Sequence, residues 1–368
     1  MVRPVSGGMR QHLKGLWQYL DRKLVEPFIV CPFEEGKNFS RENPEFTIFP
    51  LDIRQGINPW HDWQVAITLP RLAKAWDVEI IHAHGYKAGL LSLWAGLHNY
   101  RRYRLVCTFH NPLPNPSDIL KNWATLTSAR AIGRIVDHLI VISRFIEMDT
   151  IKRLHLPEGK VTCIYNGIDP VVAHELFDTG ELKREWGVPE GRPLIGTIAR
   201  LIPQKGIQYL IEAAALLKNE AFDFRMLIVG DGPFRQQLEE LAVGVGVREN
   251  LLFTGFRRDI PEILAMIDLF VLPTLEEGMS IAVLEAMRAG KPVIASRVGG
   301  VPEIVTKETG ILIRPADPKA LAAAIQQLWS DAETRKRMGD AGREQVTNDF
   351  TLNKMAEKHY YLYKQLIK

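Results

Sequence analysis

Apolar residues fall along the chain in short runs, separated by longer stretches in which they recur every three or four positions. The runs 27–31, 45–49, 80–83, 104–109, 138–142 and 160–165 read as strands, and the amphipathic stretches 9–23, 65–75, 87–99, 118–137 and 144–154 as helices. The alternation restarts with strands over 194–199, 225–230, 251–253, 269–272, 292–295 and 310–313 and helices over 206–218, 233–243, 260–266, 281–289 and 318–330. Apolar strands that alternate with helices are the pattern of a parallel sheet covered on both faces. Two doubly wound, Rossmann-like α/β domains in tandem are therefore expected, over 1–172 and 194–351, with no residue-level repeat joining them.

The stretch 173–193 between them carries Gly180, Gly187, Pro189, Gly191 and Pro193 and reads as a hinge linker with a short helix over 182–186. The final segment, 352–366, is amphipathic and holds Tyr360, Tyr361 and Tyr363. It either closes the second domain or returns to pack on the first.

Composition narrows the class. With 368 residues, 46% of them apolar and 24% charged, the chain suits a globular protein of two ordinary domains. No apolar run approaches the roughly 18 residues that span a bilayer, and the N-terminal residues lack the apolar core of a signal peptide. Cys31, Cys107 and Cys163 are an odd set without a CxxC pair, which reads as free thiols in a reducing compartment, hence cytoplasmic. Basic residues outnumber acidic ones by 21 to 16 over 1–169, whereas the rest of the chain has 25 against 27. That imbalance is too weak for nucleic acid. The cluster Tyr100-Arg101-Arg102-Tyr103-Arg104 is either a solvated helix end or a peripheral contact with an anionic inner-membrane face.

Ligands of open parallel sheets bind at the carboxyl ends of the strands. After strand 194–199 come Arg200 and Lys205, two cations on one loop, suited to a pyrophosphate. After strand 269–272 come Glu277, Gly278, Met279 and Ser280, then a helix whose first amides are unpaired and suited to phosphate. Glu285 lies about 7 Å along that helix from Ser280, so Glu277 and Glu285 can reach opposite parts of one ligand. Gly230-Asp231-Gly232-Pro233 and Gly299-Gly300 read as turns, and Gly7-Gly8 as a close-approach loop. No Asp-x-Asp occurs, and no His, Cys or carboxylate group has metal-ligand spacing, so no metal is expected.

Taken together, several blocks resemble the family-4 retaining glycosyltransferases of the GT-B fold, over nearly the whole chain. They are Gly7-Gly8, Ile81-His82-Ala83-His84, Thr108-Phe109-His110, Tyr165-Asn166-Gly167-Ile168-Asp169 and the loop from Gly196 to Gly206. Val229-Gly230-Asp231-Gly232-Pro233, Thr254-Gly255-Phe256 and, most specifically, the segment 276–296 complete the set. The resemblance implies two domains facing across a cleft and transfer of a hexosyl group from a UDP- or GDP-sugar, without a resident cofactor or metal. The acceptor is a hydroxyl of a glycan, a lipid-linked sugar or a small molecule. In that scheme Arg200 and Lys205 clamp the departing diphosphate, and amides of Gly278, Met279 and Ser280 meet phosphates and sugar hydroxyls. Glu277 holds the transferred sugar and Glu285 the ribose, the base lies near Phe256 and Arg257, and Gly8 contacts the donor.

His110 matches the family's histidine that meets the sugar from the first domain. Asn111 and the Pro-rich loop after it shape the acceptor side. Of His82 and His84, one is expected to face the core and the other, taken as His84, the ligand. One departure stands out: only residues 1–5 precede Gly7-Gly8, where the family has an apolar strand. Either that strand is residual or the native start lies upstream. A sugar-nucleotide epimerase of the same fold and a non-catalytic sugar-nucleotide binder are the alternative readings.

Overall fold

Strands Leu269–Leu272 and Val293–Ser296 are buried at every position, which is the situation that an uninterrupted apolar run requires. The structure, a computed structural model, describes residues 8–32, 41, 44, 46–54, 56, 58–98, 103–114, 119–170, 179–188 and 191–367. Residues 1–7, 101–102, 115–118 and 171–178 are outside that set, and with them the first-strand question, part of the Tyr/Arg cluster, and parts of the Pro-rich loop and the linker. Contacts divide the chain into two units: Met1–Asn166 with Leu352–Lys368, and Gly167–Thr351.

In the first unit the chain runs α1 (Gly8–Tyr19), β1 (Phe28–Cys31), β2 (Thr47–Pro50), α2 (Pro59–Ala75), β3 (Ile80–His84) and α3 (Tyr86–His98). It continues through β4 (Arg104–Phe109), α4 (Ile119–Ile135), β5 (His138–Val141), α5 (Arg144–Leu154) and β6 (Val161–Cys163). Strands β3 to β6 form a parallel sheet in sequence order, and β1 and β2 pair separately, also in parallel.

The second unit holds α6 (Thr179–Glu185), β7 (Leu194–Ile198), α7 (Ile207–Asn219), β8 (Arg225–Val229), α8 (Arg235–Gly244) and β9 (Leu251–Gly255). Then follow α9 (Ile260–Met266), β10 (Leu269–Leu272), α10 (Ile281–Arg288), β11 (Val293–Ser296), β12 (Gly310–Ile313), α11 (Pro318–Ser330) and α12 (Ala332–Asp349). Its parallel sheet has the order β12-β11-β10-β7-β8-β9. Strand order therefore reverses between β7 and β10. In such sheets this is the point where the loops leave in opposite directions and open a crevice.

Helix α12 has no counterpart in the hydrophobic pattern. It is polar around most of its circumference, and it buries a narrow stripe of Met338, Gly339, Gly342 and Val346. Asp331 caps it by accepting from the Thr334 amide at 2.9 Å. The last helix, α13 (Leu352–Ile367), returns to the first unit. Leu352, Met355, Ala356 and Leu362 share a core there with Leu16, Leu20, Val106, Ile140 and Ile164. Gly15 permits the approach, since a Cβ there would lie 2.3 Å from Leu352 Cδ2. All three cysteines are buried and free. Among the described residues no helix is long and apolar enough to cross a membrane.

Candidate active site

In the second unit the loops that leave β7 and β10 are strapped together at the switch point. The Leu275 amide donates to Gln204 O at 2.8 Å, and Thr274 Oγ1 donates to the same carbonyl at 3.0 Å. Gly206, at φ 66°, ends the first loop beside Pro273 O, where a side chain's Cβ would stand at 1.9 Å. Lys205 Nζ reaches Glu277 Oε2 at 2.6 Å across the two loops. Arg200 stands exposed at the carboxyl end of β7. Its backbone is set by the neighbouring Gly-Asp-Gly turn: the Leu201 amide donates to Asp231 O at 3.0 Å, and a Cβ on Gly232 would meet Leu201 O at 2.2 Å. That turn packs against the cation loop, and α8 begins at Arg235, two residues later than the sequence pattern suggests.

Ser280 caps α10 by accepting from the Val283 amide at 3.3 Å. Gly278 is buried immediately before it, and the Met279 side chain is 4% exposed, turned into the core. Met279 can therefore offer a ligand its amide rather than its side chain. The helix start carries the partial positive charge of its unpaired N–H groups. Glu285 is half-buried one turn before Arg288, whose guanidinium is held below its ordinary range by burial and donates to Asp169 O at 2.7 Å. Gly299 is more than a turn residue: it sits at φ 52° against the Glu277 carbonyl, which a Cβ would approach to 1.7 Å.

Beyond β9, Phe256 is 74% exposed. Arg257 turns back to Asp259, Nε donating at 2.8 Å, and lies over the Trp186 ring at 5.2 Å. Its guanidinium is engaged, which leaves the backbone and the exposed Phe256 ring as what this loop can offer a ligand.

The first unit gathers histidines at the carboxyl edge of its sheet. His84 ends β3 and His110 follows β4, with His84 Nδ1 3.1 Å from His110 Nε2. Tyr86 donates to the Asn111 and Pro112 carbonyls at 3.3 and 3.4 Å, setting the start of the Pro-rich loop. His82 and His84 lie on one face, ring centroids 4.1 Å apart, which corrects the expectation that they point to opposite sides. The strand continues through His84, so positions two apart share a face. His82 is held by Tyr363 and Thr108 at 2.6 and 2.7 Å. His12 of α1 joins them, 4.8 Å from the His110 ring, with Nδ1 2.9 Å from Asn166 Oδ1. Burial pushes the imidazoles of His12, His82 and His84 well below their ordinary range and that of His359 down to about 4. One ring nitrogen from each of His12, His84 and His110 lies within 4.8 Å of the others, a grouping able to hold a metal ion. Spacing along the chain gave no sign of it, because each member comes from a different element.

A profile described as Glycosyltransferase Family 4 matches residues 6–172, and one described as Glycosyl transferases group 1 matches residues 178–345. The chain belongs to the family 4 glycosyltransferases. This glycosyltransferase is 27% identical over 312 residues to the N-acetyl-alpha-D-glucosaminyl L-malate synthase of Bacillus anthracis, covering 84% of the chain and 81% of that protein. It is 28% identical over 379 residues to the UDP-Gal:alpha-D-GlcNAc-diphosphoundecaprenol alpha-1,3-galactosyltransferase of Escherichia coli, covering 100% and 96%. Among solved structures, Anabaena Alr3699/HepE in complex with UDP-glucose matches with a TM-score of 0.83 at 21% identity, covering 99% of this chain and 98% of that one. At that identity the likeness speaks for the fold, the GT-B pair of parallel-sheet α/β domains. The enzyme is thus a sugar transferase.

Sequence reasoning passed over His12, Asn166 as its anchor, and His359. Only His12's place four residues after the Gly-Gly pair could have drawn attention to it. The sequence pattern gives Arg288 no role either. Its hydrogen-bond partner, the Asp169 carbonyl, lies 119 positions away.

Proposed function

We infer that the second unit binds the diphosphate of a UDP- or GDP-sugar at the β7/β10 switch point, and that the enzyme transfers the hexosyl group with retention and without a metal. The observation that carries this is the strapping of the Arg200–Lys205 loop to the start of α10, which groups two cations and a helix's opening amides. Such a preorganised positive potential stabilises the charge that develops on a departing pyrophosphate. Glu277, paired to Lys205, holds the transferred sugar, Glu285 the ribose, and the loop at Phe256 and Arg257 the base. In this reading Gly8 contacts the donor and His110 the transferred sugar, while His84 and Asn111 belong to the acceptor side.

In the step itself the acceptor oxygen bonds to the anomeric carbon as the bond to the β-phosphate oxygen breaks. That phosphate oxygen takes the acceptor's proton. The acceptor is a glycan, lipid-linked or small-molecule hydroxyl; the Escherichia coli relative's name specifies a diphosphoundecaprenol-linked sugar.

Incubation with UDP- and GDP-sugars and a panel of acceptors, in the presence of chelator, tests the reading. Stoichiometric release of nucleotide with an α-linked product by NMR supports it. Inverted product, or nucleotide release only after metal is restored, refutes it. Interconversion of the free donor's sugar without an acceptor would point to an epimerase.

A further inference from the structure

We propose that His12, His84 and His110 form a binding site for a first-row divalent cation of the zinc class. They are 1%, 3% and 8% exposed, and one ring nitrogen of each lies within 4.8 Å of the other two. Nδ1 of His12 faces Asn166 Oδ1 at 2.9 Å. An amide oxygen only accepts, so Nδ1 carries the hydrogen and Nε2 is left as a bare lone pair. That Nε2 is buried and has no hydrogen-bond partner among the described residues, a state that costs on the order of 1–3 kcal/mol.

The spacing suits a metal. Two imidazole nitrogens bound tetrahedrally at about 2.0–2.1 Å from zinc stand about 3.4 Å apart. His84 Nδ1 and His110 Nε2 are already 3.1 Å apart, and the ion would replace the hydrogen they share. His12 then closes on them by a small swing of α1's side chain. A ligating histidine usually donates its other N–H to an oxygen acceptor, and Asn166 fills that place. Three imidazoles with no carboxylate leave a fourth position open to hydroxide or another anion. Imidazole nitrogens favour zinc, copper or nickel over magnesium or calcium. The residues belong to the first unit and are distinct from Arg200 and Lys205. An ion held there would engage the ring nitrogens of His84 and His110, and the cation loop of the second unit supplies none of its ligands.

The test uses the full chain, stripped with chelator and titrated with cobalt(II) as a visible probe for the site. One equivalent should bind with the d–d absorption of a four- or five-coordinate ion, and zinc should displace it. His12→Ala and His84→Ala should abolish this band, and Asn166→Ala should weaken binding about 10–100-fold. His155→Ala, at an exposed helix end, should leave it unchanged. Circular dichroism of each variant separates loss of a ligand from loss of fold. Absence of a stoichiometric cobalt band in the unsubstituted protein overturns the proposal without recourse to variants. A folded His12→Ala protein that keeps the band also overturns it, because the cobalt is then held without His12.

Discussion

Lys205 Nζ and Glu277 Oε2 stand 2.6 Å apart, both mostly buried, and this contact joins the loop after β7 to the loop after β10. The contact fixes the direction of the lysine, and Arg200 lies exposed on the same loop. Lys205→Ala and Arg200→Ala should each lower kcat by about 100-fold with smaller changes in KM, because the charge they offset is greatest in the transition state. Steady-state kinetics with the nucleotide sugar identified by screening checks this. A double variant that turns over normally would remove the cations from the mechanism.

The backbone of Glu277 depends on a glycine. Gly299→Ala would place a methyl 1.7 Å from Glu277 O at a φ of 52°. The left-handed conformation alone costs about 1–2 kcal/mol for a residue with a Cβ, and the clash must push the Glu277 loop aside. We expect a lower melting temperature together with a fall in kcat, whereas alanine at the unencumbered Gly244 should cost neither.

The histidine cluster makes the first unit acid-sensitive. His359 is held near a pKa of about 4 by burial, against an ordinary 6.5. Between those values the unfolded chain binds a proton that the folded chain refuses, so stability falls as pH drops from about 6.5 toward 4. At about 1.4 kcal/mol per unit the loss from this residue is on the order of 3 kcal/mol. His12, His82 and His84 are shifted in the same direction and deepen the loss. Urea midpoints measured at pH 7.5 and pH 5 should differ clearly, and His359→Gln should flatten the difference. Equal midpoints would show that the cluster is hydrated rather than buried.

Helix α13 is held by apolar packing. Leu352→Ala removes a side chain seated on Gly15 and should destabilise the first unit by about 2–5 kcal/mol, the cost of a large-to-small change in a core. Differential scanning calorimetry or urea unfolding should show the corresponding loss of stability.

Most strands were legible because an apolar run such as Leu269–Leu272 has no other stable use in a chain of this kind. Arg200, Lys205 and Ser280 could be located because strand ends in parallel sheets are where loops converge. What escaped was set by distant partners. Helix α12 carries too few apolar residues to show a period, and its stripe works because Gly339 lies against Gly290 O. The roles of His82 and His84 turned on where β3 ends, a boundary that local pattern defines poorly. His12 and Asn166, 154 positions apart, meet only through the fold.

The chain leaves its first unit after Asn166 and comes back to it at Leu352. Gly167–Thr351 is by contrast continuous, and its two ends are neighbours, bridged between Ile168 and Thr351. During synthesis the later-made unit can therefore be complete while the earlier-made one still lacks its closing helix. The half that emerges first from the ribosome is the half that finishes last, with the floor beneath Leu16, Val106 and Ile140 open until Leu352–Ile367 has been made.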